Sequence, residues 1–239
     1  VIISDDDPHA EDPAQIRAGL LAGARDAQAA LDAVSDMEHH TASHRLSAQS
    51  WETIVNKLED LRSHAETASL TPSLRKKFSA ALDRVEMRIE RWPLDDVTFG
   101  DVAESLSQGY KRARHLIPDD WRSASAVELH DLRQRVVVHR YQMEIVKPLW
   151  PRLGKSWVRE AQKLRDRLGK YNDLAVLARY SEPHQPLARW RSRLQSVISQ
   201  RQAQHVSFAR RVSGRIFAER PKAFKHRLEA MWDGMAASH

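Results

Sequence analysis

Apolar residues along the chain recur at helical spacing rather than alternating, and the breakers between the periodic stretches are few. Asp12, Pro13 and Gln15 form a capping box with proline at the first helical position, which predicts a helix running to about Met37. A second helical stretch spans about 42–68 and ends before Leu70-Thr71-Pro72. Thr71 caps a third, which stops before Trp92-Pro93, and a fourth covers about 99–116. Ser125 and Glu128 make another capping box, opening a long helix to about Val146. Pro148 and Pro151 predict a loop, after which periodicity resumes over about 155–169. Beyond a loop at 181–186, residues 187–218 read as one helix or two, and Pro221 launches the last, about 222–235. No segment alternates between turn dipeptides, so the pattern predicts an all-α antiparallel helical bundle.

Within the long helix opened by Ser125, Leu129, Leu132, Val136 and Met143 form an apolar stripe facing the core. Another stripe carries His130, Arg133, Arg140 and Tyr141 over about three turns, while Arg135 and His139 point elsewhere. Guanidiniums at this repeat match phosphates along an extended anion, since each fork donates two charge-assisted hydrogen bonds. The same spacing equally suits a solvated face or ion pairs with a neighbouring helix, and spacing alone leaves both open. Residues 21–30 also echo residues 168–177, laying Leu21 on Leu168 and Asp26 on Asp173.

Composition narrows the chemistry. At 239 residues the chain is long enough for a large core, and 41% hydrophobic with 29% charged residues is an ordinary globular balance. The absence of cysteine excludes disulfides, thiolate zinc sites and a cysteine nucleophile, and suits a reducing, cytoplasmic compartment. Eight glycines are too few for a β-rich chain. The formal charge of +6 conceals a split: residues 1–109 sum to −9 and residues 110–239 to +15. So basic a half is either a solvated surface or the seat of an anionic ligand. No apolar run is long enough to span a membrane, and the acidic N-terminus does not resemble a signal peptide.

The residues His130-Asp-Leu-Arg133-Gln-Arg135-Val-Val-Val-His-Arg140-Tyr141-Gln142, followed by Lys147-Pro-Leu-Trp150-Pro and Leu168-Gly169-Lys-Tyr-Asn172-Asp173, resemble the conserved histidine α-helical domain, CHAD. Gly109-Tyr110-Lys111-Arg112-Ala-Arg114 resembles the basic helix preceding the family's histidine helix, and Phe217-Ala-Glu-Arg220-Pro221-Lys222-Ala-Phe224 its C-terminal signature. The resemblance spans about 14–235, strong from 108 onward and weak between 40 and 107, after an acidic segment at 1–13. It implies two pseudo-symmetric helical-bundle halves, a partial first repeat at 14–107 and a second at 108–235, with basic residues lining a central groove. It further implies non-catalytic binding of inorganic polyphosphate, with polyphosphate granules as a location.

On that resemblance, Lys111, Arg112, Arg114, Arg133 and Arg140 are candidate phosphate contacts, joined by Tyr141. Lys222 and Lys225, a turn apart at a helix start, are further candidates, as are Lys163 and Arg167 at i, i+4. His130 is expected to organise the groove by hydrogen bonding, and Asp173 to cap a helix or tie down an arginine. The sequence departs from the family where lysines are usual: Gln134 and Val137 stand in the contact stripe. If Asp26 matches Asp173, the first repeat's own histidine falls before residue 1, so the first half is expected to be incomplete at its N-terminus.

Other chemistry finds little footing. His39, His40 and His44 offer an i, i+4 pair, but no carboxylate follows at zincin spacing, so no metal or cofactor is expected. No phosphate-cradling loop, dinucleotide motif or acid–base dyad is present, so no catalytic residue is expected. The seven tryptophans are spread through the chain, which predicts core and interface roles rather than base stacking. The alternatives are a nucleic-acid-binding module drawn by the same charge, and a partner-docking domain that no longer binds an anion.

Overall fold

The computed structural model describes residues 22–38, 46–69 and 72–237. Among these it contains eight α-helices: α1 (Ala22–Glu38), α2 (Ala48–Ser69), α3 (Pro72–Glu90), α4 (Phe99–His115), α5 (Ala126–Val146), α6 (Pro151–Tyr180), α7 (Arg191–Ile216) and α8 (Pro221–Ala236). Short 3₁₀ turns at Lys147–Leu149 and Ala188–Trp190 precede α6 and α7. No strand occurs among the described residues, and the chain is all-α. The capping box at Asp12–Gln15, the Thr71 cap and His39, His40 and His44 lie outside the described residues.

Local signals act where they were read. At α5, the Ser125 hydroxyl accepts from the Glu128 amide while the Glu128 carboxylate accepts from the Ser125 amide, filling two donors that a helix start leaves open. Thr98 and Asp101, not singled out in the sequence, repeat the arrangement at α4. The loop expected around Pro148 and Pro151 is instead almost entirely helical. Proline's missing N–H is harmless at a first helical position, so α6 begins at Pro151 itself and runs for 30 residues. Gly154 permits the tight reversal there, because a Cβ on it would lie 2.6 Å from the Lys147 Cα.

The long helices α6 and α7 run antiparallel and serve two cores. One gathers Leu106 and Tyr110 of α4, Leu132 and Val136 of α5, Leu164 and Leu168 of α6, Val212 of α7, and Phe224 and Leu228 of α8. The other gathers Ala30, Val34 and Met37 of α1, Ile54 and Leu58 of α2, Leu174 and Leu177 of α6, and Leu194 and Val197 of α7. Each fully buried leucine contributes about 1.5–3 kcal/mol. Residues 108–235 thus contribute to both cores.

Between the cores, α1, α6 and α7 meet through charge. Asp36 is 8% exposed and accepts from Arg201 Nε at 2.6 Å, Lys170 Nζ at 2.7 Å and His205 Nε2 at 2.9 Å. Arg201 and His205 are themselves buried, and their positions lie between Ile198 of one core and Ala209 of the other. The stripe from Leu129 to Met143 is buried, as its spacing predicts. His139, expected to point away from the stripe of His130 and Arg133, does so and is buried too, against Tyr110, Phe217 and Phe224. It stands three residues after Val136 and four before Met143, so helical geometry places it at the stripe's edge. Of the tryptophans expected in cores and interfaces, Trp51, Trp121 and Trp190 are buried, whereas Trp92 and Trp150 are exposed. On α3, Phe78, Leu82, Val85 and Ile89 are likewise exposed.

Candidate functional site

A cleft of about 940 Å³ opens between α1, α5 and α6. Its walls follow from the packing just described: α1 lies along the C-terminal half of α6, and α5 along the N-terminal half, so the cleft marks where the two contacts diverge. Ala29 and Ala33 keep the α1 wall low, and Gly169 does the same on α6. Arg133 of α5 crosses into the space above Gly169, its Nε 3.4 Å from where a Cβ would stand.

The lining is charged but balanced. Arg25, Arg133, Arg165, Lys170 and Arg179 face the same opening as Asp26, Asp32, Asp36, Asp166 and Asp173. Several of these charges cancel in pairs. Arg179 Nη2 lies 3.2 Å from Asp26 Oδ2, Arg165 Nη1 lies 3.1 Å from Asp166 Oδ1, and Lys170 is held by Asp36. Among the described residues, Arg25 and Arg133 form no ion pair, and neither do Asp32 and Asp173. Asp32 accepts from the Gln28 side-chain amide, at 2.9 Å. Among the described residues, the buried Arg133 Nε finds no hydrogen-bond partner.

Burial and neighbouring charge set the protonation states. Burial pushes the Asp173 carboxyl up to about 6, reinforced by the negative charges of Asp32 and Asp36 and opposed by Arg133. Asp173 lies within α6, so it caps no helix, and no arginine is tied to it by an ion pair. Burial also acts against the ionised Asp36, but hydrogen bonds from Arg201, Lys170 and His205 outweigh it and hold that carboxyl well below the usual range. His205 is lowered to about 4 by burial, despite its bond to Asp36. Its tautomer follows: Nε2–H donates to the Asp36 carboxylate, and Nδ1 accepts from Arg167 Nη1 at 3.5 Å. His139 is also lowered to about 4 by burial, and its Nδ1 has no partner.

Of the candidates named from the sequence, the cleft brings together His130 and Arg133. The His130 Nε2 accepts from the Gln134 amide at 2.9 Å, so the glutamine found at a usual lysine position orients the imidazole. Arg167 is outside the lining, its guanidinium 4.5 Å from the Phe208 ring. Arg140 is outside the lining, held 3.5 Å from Glu144 and 4.2 Å above the Tyr141 ring. Lys163 is held by Glu160 and Lys225 by Glu104, each at 2.7 Å. Lys111, Arg112, Arg114 and Lys222 are exposed on α4 and α8, away from the cleft lining.

Sequence reasoning missed Arg25, Arg165, Lys170, Arg179 and the buried network around Asp36. Arg201 and His205 carried a usable signal, since they occupy i, i+4 positions in a stripe otherwise filled by Leu194, Val197, Ile198 and Ala209. Asp26 and Asp173, paired by the internal echo, do line one cleft from facing helices. No metal-holding group of histidine and carboxylate side chains occurs among the described residues, and no helix there is long and apolar enough to cross a membrane.

Compared with known families, residues 4–182 match the CHAD domain. The matched range covers α1 through α6, including every wall of the cleft, and ends before α7. No curated protein and no solved structure matches the chain.

Proposed function

The chain belongs to the CHAD family, and from that premise we propose that it binds inorganic polyphosphate without acting on it, in the cleft between α1, α5 and α6. The family is associated with polyphosphate. The observation carrying the assignment to this cleft is the pair of guanidiniums, Arg25 and Arg133, that form no ion pair among the described residues, the second with a buried Nε–H that finds no acceptor there. A phosphate oxygen is the acceptor such a fork takes best, and a chain of phosphates could bridge both guanidiniums. His130, oriented by Gln134, offers its other ring nitrogen beside Arg133. The exposed Lys111, Arg112, Arg114 and Lys222 extend the positive surface of the second half, where a long polymer continues beyond the cleft. Residence at polyphosphate granules belongs to the same proposal.

Calorimetric titration with long-chain polyphosphate tests it. Binding is expected to weaken steeply as salt rises, because each neutralised phosphate releases counterions. Competition with RNA at equal phosphate concentration is expected to favour polyphosphate, and incubation with magnesium to release no phosphate. Preference for RNA would reverse the order in favour of a nucleic-acid module. Failure to bind either polymer at low salt would leave the docking-domain reading.

A further inference from the structure

The cleft carries a feature that an anion site does not need: two carboxylates, Asp32 and Asp173, that form no ion pair among the described residues. They face the guanidiniums of Arg25 and Arg133, and the four formal charges sum to zero. An arriving polyanion upsets this balance. It pairs with Arg25 and Arg133 and brings its own negative charge against both carboxylates, at a site where partial burial strengthens every Coulomb interaction. The cheapest relief is to neutralise the more buried of the two.

We infer that the cleft is a proton-linked anion site, in which Asp173 takes up a proton from solvent as polyphosphate binds, so that acidification strengthens binding. The proton adds to a carboxylate oxygen and no other bond changes. The inference rests on the proposed function above and adds its regulation.

The surroundings of Asp173 support the choice of residue. From α1 it faces Asp32 and Asp36, whose charges oppose its ionisation, with Arg25 and the Arg179-bound Asp26 further along the same wall. From α5 it faces Arg133, which favours ionisation, and His130. From α7, Arg201 and His205 are directed at Asp36, so their charge is spent there rather than on Asp173. On α6 itself, Arg165 is occupied by Asp166 and Lys170 by Asp36. Arg133 is therefore the cation that counts for Asp173, and it is the one a phosphate would engage. Once Arg133 turns to the ligand, Asp173 loses its main support as a carboxylate. Burial already places its titration at about 6, close enough to neutrality for that loss to matter.

The test is binding of long-chain polyphosphate at constant ionic strength from pH 8 to pH 5.5, for wild type, D173N, D32N and H130N. Calorimetry in buffers of different ionisation enthalpy counts the protons. For wild type the apparent Kd is expected to fall on acidification by up to about tenfold per pH unit, the limit for uptake of one proton. D173N is expected to bind at pH 8 nearly as tightly as wild type does at pH 5.5, and to lose the uptake. D32N, which removes the facing charge, shifts the dependence to lower pH. H130N removes the imidazole of the cleft and is expected to keep the uptake. A D173N profile parallel to wild type, or loss of uptake in H130N alone, overturns the inference while leaving polyphosphate binding intact. Absence of binding at every pH overturns both.

Discussion

Replacing His139 by leucine should make the protein markedly less sensitive to acid. The imidazole is 3% exposed, packed against Tyr110, Phe217 and Phe224, with Nδ1 unpaired. Burial lowers its titration from 6.5 to about 4. A base whose folded value is depressed binds fewer protons folded than unfolded, so its neutral form supports the fold fully above pH 6.5. That support is lost as pH falls from 6.5 towards 4. At about 1.4 kcal/mol per pH unit, the loss is about 3 kcal/mol. Leucine cannot be protonated, and it removes a buried nitrogen without a partner.

Urea unfolding of wild type and H139L at pH 7 and pH 4 measures the effect. The stability difference between the two proteins should move by about 3 kcal/mol in favour of H139L on going to pH 4. For a chain of this length that corresponds to roughly 6–12 °C in Tm. His205 loses support over the same range, and Asp173, whose folded value is raised, gains support from about pH 6 downward. Both are present in each protein and cancel in the comparison. Parallel pH profiles for wild type and H139L would refute the reasoning, showing that the imidazole is hydrated or partnered.

Further substitutions follow from the charges. D36A is expected to destabilise by about 3–5 kcal/mol in chemical denaturation, because it strands the buried Arg201 guanidinium, and adding R201M should recover part of the loss. R133A should weaken polyphosphate binding by about 1.5–3 kcal/mol, whereas R140A, already engaged by Glu144 and Tyr141, should change the titrated Kd less than about threefold.

The contrast between Arg133 and Arg140 shows where sequence reading stops. They lie on one helical stripe seven residues apart, and spacing treats them alike. Only the neighbours distinguish them, since Arg133 meets a glycine on α6 and open space while Arg140 meets a carboxylate on its own helix. Glu144 stands four residues after Arg140, so that pair was within reach of an i, i+4 search. Val137, the other unusual position in the stripe, takes no part in the cleft lining. The approach of Gly169 to Arg133 spans two helices and left no comparable local trace.

The sequence by itself determined the all-α class, the Ser125 capping box, the buried stripe of α5 and the family, because each depends on contacts within about four residues or on a motif read in place. Tertiary structure decided which charges are neutral. Asp36 finds Arg201 across 165 residues and Lys170 across 134, and those pairings leave Arg25, Arg133, Asp32 and Asp173 facing one another. A net charge of +15 on the second half therefore raised an anionic ligand or a solvated surface but located no site. Coulomb energy depends on distance and burial, and both are set only when the helices pack.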